Sequence, residues 1–274
     1  MTVLDLIKTD IKKIMHNDTA HDFDHIMRVY KNAQQIIKKE KANEKLVLSA
    51  VLLHDIVSFP KSDKCSKNSS IESAKKAKII LKKYDFTLDE ITIVCDAISE
   101  HSFSQKKIPK TIEGKILQDA DRLDALGAIG IARVFATGGS LLRPFYNLDD
   151  PFCKKRIPND KTWTLDHFFE KLLKLEFLMN TKSGKIEAKK RTKILKNFLK
   201  QLKHEIWLVP PSHYPLIDIC TMVLFLASIH FLRLKTNFVI LLMAFPLDSI
   251  RTCSHCGCEY CKAKVCPVCD FKLD

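Results

Sequence analysis

Apolar residues recur at steps of three and four along most of the first 207 residues, which is the spacing of one face of an α-helix. One such face consists of Ile26, Val29, Ala33, Ile36 and Ile37. The same spacing predicts helices over residues 69–84, 88–101, 113–126, 165–180 and 186–204, and the nearly continuous apolar run 46–56 predicts a buried helix. Strands of alternating polarity are absent from the pattern, so residues 1–207 are expected to form an all-α domain.

Two of these helices carry end signals or a charged face. Acidic residues at positions 89 and 90 favour a helix start there, and Thr164 and Asp166 are expected to cap the helix over 165–180. Residues 186–204 place lysines on one face and leucines on the other. We interpret this segment as an ordinary amphipathic helix with a solvated lysine face; the alternative is a basic strip that contacts nucleic acid or a membrane.

The chain changes character after residue 207. Residues 208–215, LVPPSHYP, end the helical pattern with prolines, and the runs 216–232 and 238–247 are almost entirely apolar. Residues 216–247 have two interpretations: a membrane anchor or hairpin, and a hydrophobic helix packed on the preceding domain. Arg233 and Lys235 would be costly near the middle of one long span. The predicted organisation is a domain over 1–207, a Pro-rich break and hydrophobic segment over 208–250, and a cysteine-rich tail over 251–274.

Composition narrows the class of protein. The 274 residues are 46% hydrophobic, which is enough for a folded core, and the 7 glycines and 10 prolines exclude collagen-like chains. Lys and Arg outnumber Asp and Glu by 45 to 32, so the net charge of +13 favours an anionic partner such as phosphates, nucleic acid or a membrane surface. The first 18 residues contain no apolar run of a secretory signal, and we expect a cytoplasmic protein.

Histidines and aspartates cluster at the ends of predicted helices. Three groups stand beside apolar helix faces: His21, Asp22 and His25 in HDFDH, then His54 and Asp55, then Asp119 and Asp121 in QDADRLDALGAIG. A carboxylate beside an imidazole at the end of a buried helix is costly unless a cation compensates for it. Mixed imidazole and carboxylate donors suit Mn²⁺, Fe²⁺, Co²⁺ or Mg²⁺, and imidazole disfavours a site built for Mg²⁺ alone.

The order of these residues resembles the H…HD…D signature of the HD-domain metal-dependent phosphohydrolases. The segments HDFDHIMRVYKNA, AVLLHDI, AISEHSFS, ILQDADRLDALGAIGIARVF, RPFY and HFFEKLLKLEFLMNTKSGK are similar, in order, to blocks of one bacterial branch of that superfamily. The resemblance covers about residues 1–207. It implies an HD-domain helical bundle and hydrolysis of nucleoside triphosphates to monophosphate and pyrophosphate.

The resemblance also implies a set of metal ligands. These are His25, His54, Asp55 and Asp121, the last chosen over Asp119 because the family's final ligand is the aspartate of an ADR triplet. We expect Mn²⁺ to be the favoured ion, with Co²⁺, Fe²⁺ or Mg²⁺ as alternatives.

Further residues are expected to act on the substrate. Asp55 is a candidate to orient the attacking water, and His101 or His21 to handle its proton; a supporting or helix-capping role is the alternative for both histidines. Substrate phosphates require cations. The candidates are Lys171, Lys174, Arg122 and Arg191, and the two lysines, spaced i, i+3, are expected to share a helix face.

The C-terminal tail predicts a second metal site. CSHCGCEYCKAKVCPVCD contains three CxxC pairs, and the favoured structural Zn²⁺ ligands are Cys253, Cys256, Cys266 and Cys269 in a short zinc-ribbon-like appendage. Cys258 and Cys261 are alternatives to the first pair. About 24 residues cannot form a core alone, so folding there would be coupled to metal binding.

A hypothesis from a different class remains open. The positive charge, the basic helix and the cysteine tail would also suit a nucleic-acid-binding or scaffolding protein in which a vestigial HD core serves as a sensor. The complete ligand set argues against this alternative, because a vestigial core has no need of it.

Overall fold

The computed structural model describes residues 1–14, 23–59, 64–208, 250–252 and 259–261. The chain divides into two units, Met1–Ser212 and His213–Asp274. In the second unit, strands β1 (Ile250–Thr252) and β2 (Glu259–Cys261) pair antiparallel. His21, the apolar segment 216–247 and the predicted zinc ligands Cys253, Cys256, Cys266 and Cys269 lie outside the described residues.

The described part of the first unit contains helices and connecting turns and no strand. Its α-helices are α1 (Val3–Ile14), α2 (Phe23–Ile37), α3 (Glu44–Leu53), α4 (Ser69–Leu81), α5 (Leu88–His101), α6 (Ile112–Asp124), α7 (Gly127–Ser140), α8 (Leu173–Leu175) and α9 (Lys182–Leu208). A π-helix (Phe168–Leu172) precedes α8, and 3₁₀ turns cover Lys64–Asn68, Phe103–Gln105 and Glu176–Leu178. The all-α fold predicted for this part of the chain is confirmed.

Local sequence explains where several helices begin. Thr87 and Glu90 form a reciprocal capping box at the start of α5, which is the predicted helix 88–101. The side chain of Thr111 accepts a hydrogen bond from Gly114 N at 3.1 Å and caps α6. Asn43 caps α3 by accepting from Leu46 N. These caps fix the residues at which α3, α5 and α6 begin.

Helix α3 forms the centre of the core. Every residue from Leu46 to Leu53 is buried, and α2, α5 and α6 pack around it. The helix predicted over 46–56 is therefore buried as expected, but it ends at Leu53 and not at residue 56. The basic helix α9 buries Leu195 and Leu199 and exposes its lysines, as the amphipathic interpretation expects.

Helices α1 and α7 were not predicted, and two expectations need correction. The single helix expected over 165–180 is divided into the π-helix, α8 and a 3₁₀ turn. Thr164 and Asp166 do not cap a helix: the Thr164 hydroxyl donates to the Arg143 carbonyl at 3.4 Å, and buried Asp166 forms two charge-assisted hydrogen bonds with Arg156, at 2.5 and 2.6 Å. A buried carboxylate is better compensated by a bidentate guanidinium than by backbone amides alone.

Within residues 1–14, 23–59 and 64–208, no helix combines the length and the apolar character required to cross a membrane.

Candidate active site

Three helices bring histidines and aspartates to one point. His25 lies on α2, His54 ends α3 with Asp55 directly after it, and Asp121 lies on α6. His25 Nε2 is 3.7 Å from Asp55 Oδ2 and 3.5 Å from Asp121 Oδ1, and His54 Nε2 is 3.6 Å from Asp55 Oδ2. The structure therefore places all four predicted ligands of the catalytic ion together.

His101, at the end of α5, joins this group. Its Nε2 is 3.8 Å from Asp55 Oδ1, and its ring centroid is 5.0 Å from that of His54. Burial, followed by the charge of His54, lowers the pKa of His101 below its usual range. A histidine that favours its neutral form can accept a proton from a water molecule or bind an ion.

Each histidine is held through its Nδ1 atom. His54 Nδ1 lies 2.7 Å from the carbonyl oxygen of Val51, and His101 Nδ1 lies 2.6 Å from that of Ile98. His25 Nδ1 is 2.7 Å from Asp124 Oδ2. A carbonyl or carboxylate oxygen requires Nδ1 to carry the proton, so the Nε2 atoms are the ones turned towards the site.

Asp124 connects His25 to two arginines. Its carboxylate accepts hydrogen bonds from Arg28 Nε at 2.8 Å and from Arg133 Nη1 at 2.6 Å, in addition to the bond from His25. Burial alone would raise the pKa of Asp124, but these hydrogen bonds and the charges of His25 and Arg133 hold it well below its usual range. Asp124 therefore favours its charged form and supports His25 through the hydrogen bond at Nδ1.

The donor set fits a divalent ion. The ligand atoms of His25, His54 and Asp121 lie within 4.8 Å of one another, and so do those of His54, Asp55 and His101. The Nε2 atom of His54 is buried and has no hydrogen-bond partner among the described residues. An unpartnered buried nitrogen beside two carboxylates is accounted for by a cation at this point. Imidazole and carboxylate donors together are typical of Mn²⁺, Fe²⁺ or Co²⁺ sites.

A cavity of about 400 Å³ opens beside this centre. Asp55, His101 and Asp121 form part of its wall. Other lining residues carry positive charge: Lys67, Arg122, Arg133, Arg143 and Lys171. One end of the cavity is therefore suited to a metal ion and the remainder to an anionic ligand.

The predicted phosphate contacts divide into two groups. Lys171 lines the cavity, with its Nζ 4.7 Å from the ring centroid of Phe103. Arg122 also lines it, but one of its guanidinium nitrogens donates to the carbonyl of Leu178, and burial lowers the pKa of this arginine. Lys174 and Arg191 are not among the lining residues.

Local geometry explains these last two positions. Arg191 donates to Glu187, to the carbonyl of Leu123 and to Asn32, so its guanidinium holds helices together. Lys174 follows the π-helix, whose wider turn changes the register and leaves this side chain exposed. The expectation that Lys171 and Lys174 share a face assumed a regular α-helix, and it is corrected by the π-turn.

Sequence reasoning missed several residues of the site. Asp124 stands three positions after Asp121, so the helical spacing already placed both on one face. Its partners Arg28 and Arg133 carried no comparable signal. Asp160 and His167 also line the cavity and hydrogen-bond to each other, His167 Nδ1 to Asp160 Oδ2, at 2.8 Å.

The chain resembles proteins of known structure. A family model described as HD domain matches residues 22–126. Bacillus subtilis YpgQ, an uncharacterised protein, is 32% identical over 207 residues, which cover 73% of this chain and 92% of YpgQ. The crystal structure of YpgQ in complex with ADP has a TM-score of 0.58 at 31% identity and covers 74% of this chain and 94% of that one.

A second solved structure leads to the same family. An HD-superfamily hydrolase from Bacillus thuringiensis has a TM-score of 0.58 at 36% identity, covering 75% of this chain and 97% of that one. The HD-domain match over residues 22–126 contains the four predicted metal ligands, His25, His54, Asp55 and Asp121. The chain belongs to the HD-domain superfamily of metal-dependent phosphohydrolases.

Proposed function

We propose that the protein hydrolyses nucleoside triphosphates to the monophosphate and pyrophosphate, with Mn²⁺ as the favoured ion. The observation that carries this proposal is the position of the His25, His54, Asp55 and Asp121 cluster at one end of a cavity whose other walls carry lysines and arginines. The YpgQ structure with ADP supports a nucleotide as the ligand. A vestigial core would not be expected to keep the whole donor set, which favours an enzyme over the sensor alternative.

The residues of the chain divide the chemistry between them. His25, His54, Asp55 and Asp121 would hold the ion, which when bound lowers the pKa of a water molecule and neutralises charge on a phosphate oxygen. Asp55 lies between two histidines, 3.6 Å from His54 and 3.8 Å from His101, and is placed to orient the attacking water. His101, whose pKa burial lowers, is the residue we assign to accept the proton of that water.

Lys171 is the phosphate contact we favour among the predicted cations, because it lies in the π-helix Phe168–Leu172 and lines the cavity. The cavity volume of about 400 Å³ is within the range of small-molecule sites. A triphosphate has three to four negative charges, and the lining lysines and arginines offset them at close range.

The proposal is tested by turnover of a nucleotide panel with purified full-length protein and added Mn²⁺, Co²⁺ or Mg²⁺, with the products resolved. We expect pyrophosphate and monophosphate from triphosphates. Asp55→Ala should abolish turnover and metal binding together while the helical content is kept. Asp96→Ala, which removes an exposed carboxylate from the same domain, is the matched control and should leave both unchanged.

Two results would contradict the proposal. Orthophosphate released from monophosphates would keep the metal site but change the reaction. Retained turnover in Asp55→Ala would remove the metal centre from the mechanism.

A further inference from the structure

Asp160 and His167 form a pair on the cavity wall that the metal centre does not use. His167 Nδ1 lies 2.8 Å from Asp160 Oδ2, and the two side chains keep 26% and 31% of their surface exposed. The histidines of the metal centre are at most 4% exposed. The pair is therefore placed where a ligand in the cavity can reach it, and the hydrogen bond fixes the orientation of the imidazole ring.

Positive charge surrounds this pair. The hydrogen bond from His167 lowers the pKa of Asp160, burial partly opposes it, and the charges of His167, Arg143 and Lys171 lower it further. Arg143 and Lys171 both line the cavity. Among the described residues that act on Asp160, Arg143 and Lys171 supply two positive charges beside its one carboxylate, an arrangement that suits a phosphate group.

The local helix geometry brings His167 and Lys171 to the same wall. His167 directly precedes the π-helix Phe168–Leu172, in which the amide of Leu173 donates to the carbonyl of Phe168, five residues earlier. His167 and Lys171 are four residues apart, and residues four apart lie on nearly the same face of a helical turn. This spacing accounts for a histidine and a lysine on the same cavity wall.

We propose that His167, Lys171 and Arg143 bind the terminal phosphates of the substrate, the group that leaves as pyrophosphate. This inference rests on the proposed function, in which the metal end of the cavity holds the phosphate that is attacked. His167, protonated and held at Nδ1 by the Asp160 carboxylate, donates a hydrogen bond from Nε2 to a terminal phosphate oxygen, and Asp160 is a positioning residue that sets the ring for this contact. The wall consequently selects substrates by the number of their phosphates.

The test compares two substitutions of His167 in the full-length protein. His167→Asn keeps an amide near the Nδ1 position, so the bond to Asp160 can persist, but it has no group at the Nε2 position. His167→Gln places an amide near Nε2 and should restore the phosphate contact in part. Asp149→Asn, an exposed residue of the same connecting segment that does not line the cavity, is the matched control.

Two measurements are needed. Calorimetry on metal-free protein gives the Kd for pyrophosphate without interference from Mn²⁺–pyrophosphate complexes. Turnover of the tri-, di- and monophosphate of one nucleoside with Mn²⁺ gives the ratio of kcat/KM between triphosphate and diphosphate. In His167→Asn we expect a pyrophosphate Kd about tenfold weaker and a ratio about tenfold lower, the effect of one charge-assisted hydrogen bond. His167→Gln should recover part of both, and the Mn²⁺ affinity should not change.

The outcomes separate the inference from the reaction it builds on. If the wild type turns over no nucleotide but binds pyrophosphate, and His167→Asn weakens that binding, the phosphate wall stands and the proposed reaction fails. If His167→Asn leaves the pyrophosphate Kd and the kcat/KM ratio unchanged and lowers only the Tm, the pair only stabilises the segment 141–167 between α7 and the π-helix, and the inference is overturned. Absence of pyrophosphate binding by the wild type also overturns it.

Discussion

Replacing Asp124 by asparagine tests whether this carboxylate supports the metal centre through His25. The substitution keeps the shape of the side chain and removes its charge. In the wild type the carboxylate accepts three hydrogen bonds: from His25 Nδ1 at 2.7 Å, from Arg28 Nε at 2.8 Å and from Arg133 Nη1 at 2.6 Å. An asparagine offers one acceptor oxygen, and its amide nitrogen would face a donor.

The expected magnitudes follow from these contacts. Losing the carboxylate that orients a metal-binding histidine typically lowers metal affinity by about 10- to 100-fold. The variant also loses at least one charge-assisted hydrogen bond, worth about 1.5–3 kcal/mol. Arg28 and Arg133 keep 33% and 21% of their surface exposed, so water screens the arginines that remain. We therefore expect Asp124→Asn to destabilise the fold by about 2 kcal/mol.

The assay is Mn²⁺ titration against a competing chelator, with thermal unfolding measured on the same samples. Asp96→Asn, which alters an exposed carboxylate, is the control. Mn²⁺ affinity equal to that of the wild type, with only the Tm reduced, would show that Asp124 supports the fold and not the metal centre.

The pH dependence gives a second measure of the same contact. Because hydrogen bonds and nearby positive charges lower the pKa of Asp124 in the folded state, its contribution is fully present above the pKa of the unfolded chain and is lost as pH falls through the folded value. The difference in stability between wild type and Asp124→Asn should therefore narrow in acid. A gap that widened as pH fell would contradict the sign of the shift.

Three further perturbations have defined outcomes. Asp119→Ala should lower the free energy of unfolding by about 3 kcal/mol in urea titrations, because this buried carboxylate accepts the amide and hydroxyl of Thr181, both at 2.7 Å, just before α9; an unchanged midpoint would contradict this. Gly138→Ala would place a methyl group 2.3 Å from Thr164 Oγ1 and should cost about 1–3 kcal/mol, whereas Gly139→Ala, with nothing within 4 Å, should stabilise α7 by up to about 1 kcal/mol. Equal Tm values for the two variants would refute that contrast. Removing the ion with a chelator should lower the free energy of unfolding by about 2.7 kcal/mol when the ion had been present at 100 times its Kd, and thermal unfolding should show this as a lower Tm; a Tm unaffected by the chelator would contradict it.

The sequence allowed most of the helical framework to be predicted because its helices have one apolar face and clear caps. Helix α5 begins and ends where the pattern of apolar residues and the Thr87–Glu90 capping box place it. Helix α7 was missed because its glycines depress helix propensity. The structure shows a tertiary reason for Gly138: a side chain there would collide with Thr164, more than 20 residues away in the chain.

The metal centre was predictable to a similar degree. The resemblance to the H…HD…D signature implied His25, His54, Asp55 and Asp121 as ligands, and the structure brings these residues together. The spacing from Asp121 places Asp124 on the same helix face, but its contact with His25, 99 positions earlier, is a tertiary pairing that no local pattern indicates. Asp160 and His167 are only seven positions apart, but an irregular segment links them, and neither helical nor strand periodicity describes it.

The Nδ1 contacts of the three imidazoles determine whether the side chains of the site lose their conformational entropy during folding or during ion binding. Each ring is fixed by its Nδ1 contact to Val51, Ile98 or Asp124 as the helices pack. The rotational entropy of these side chains is then lost during folding and not during ion capture. We therefore expect a divalent ion to bind with little rearrangement of these rings, so that the relative affinities of different metals reflect donor chemistry more than movement of the chain.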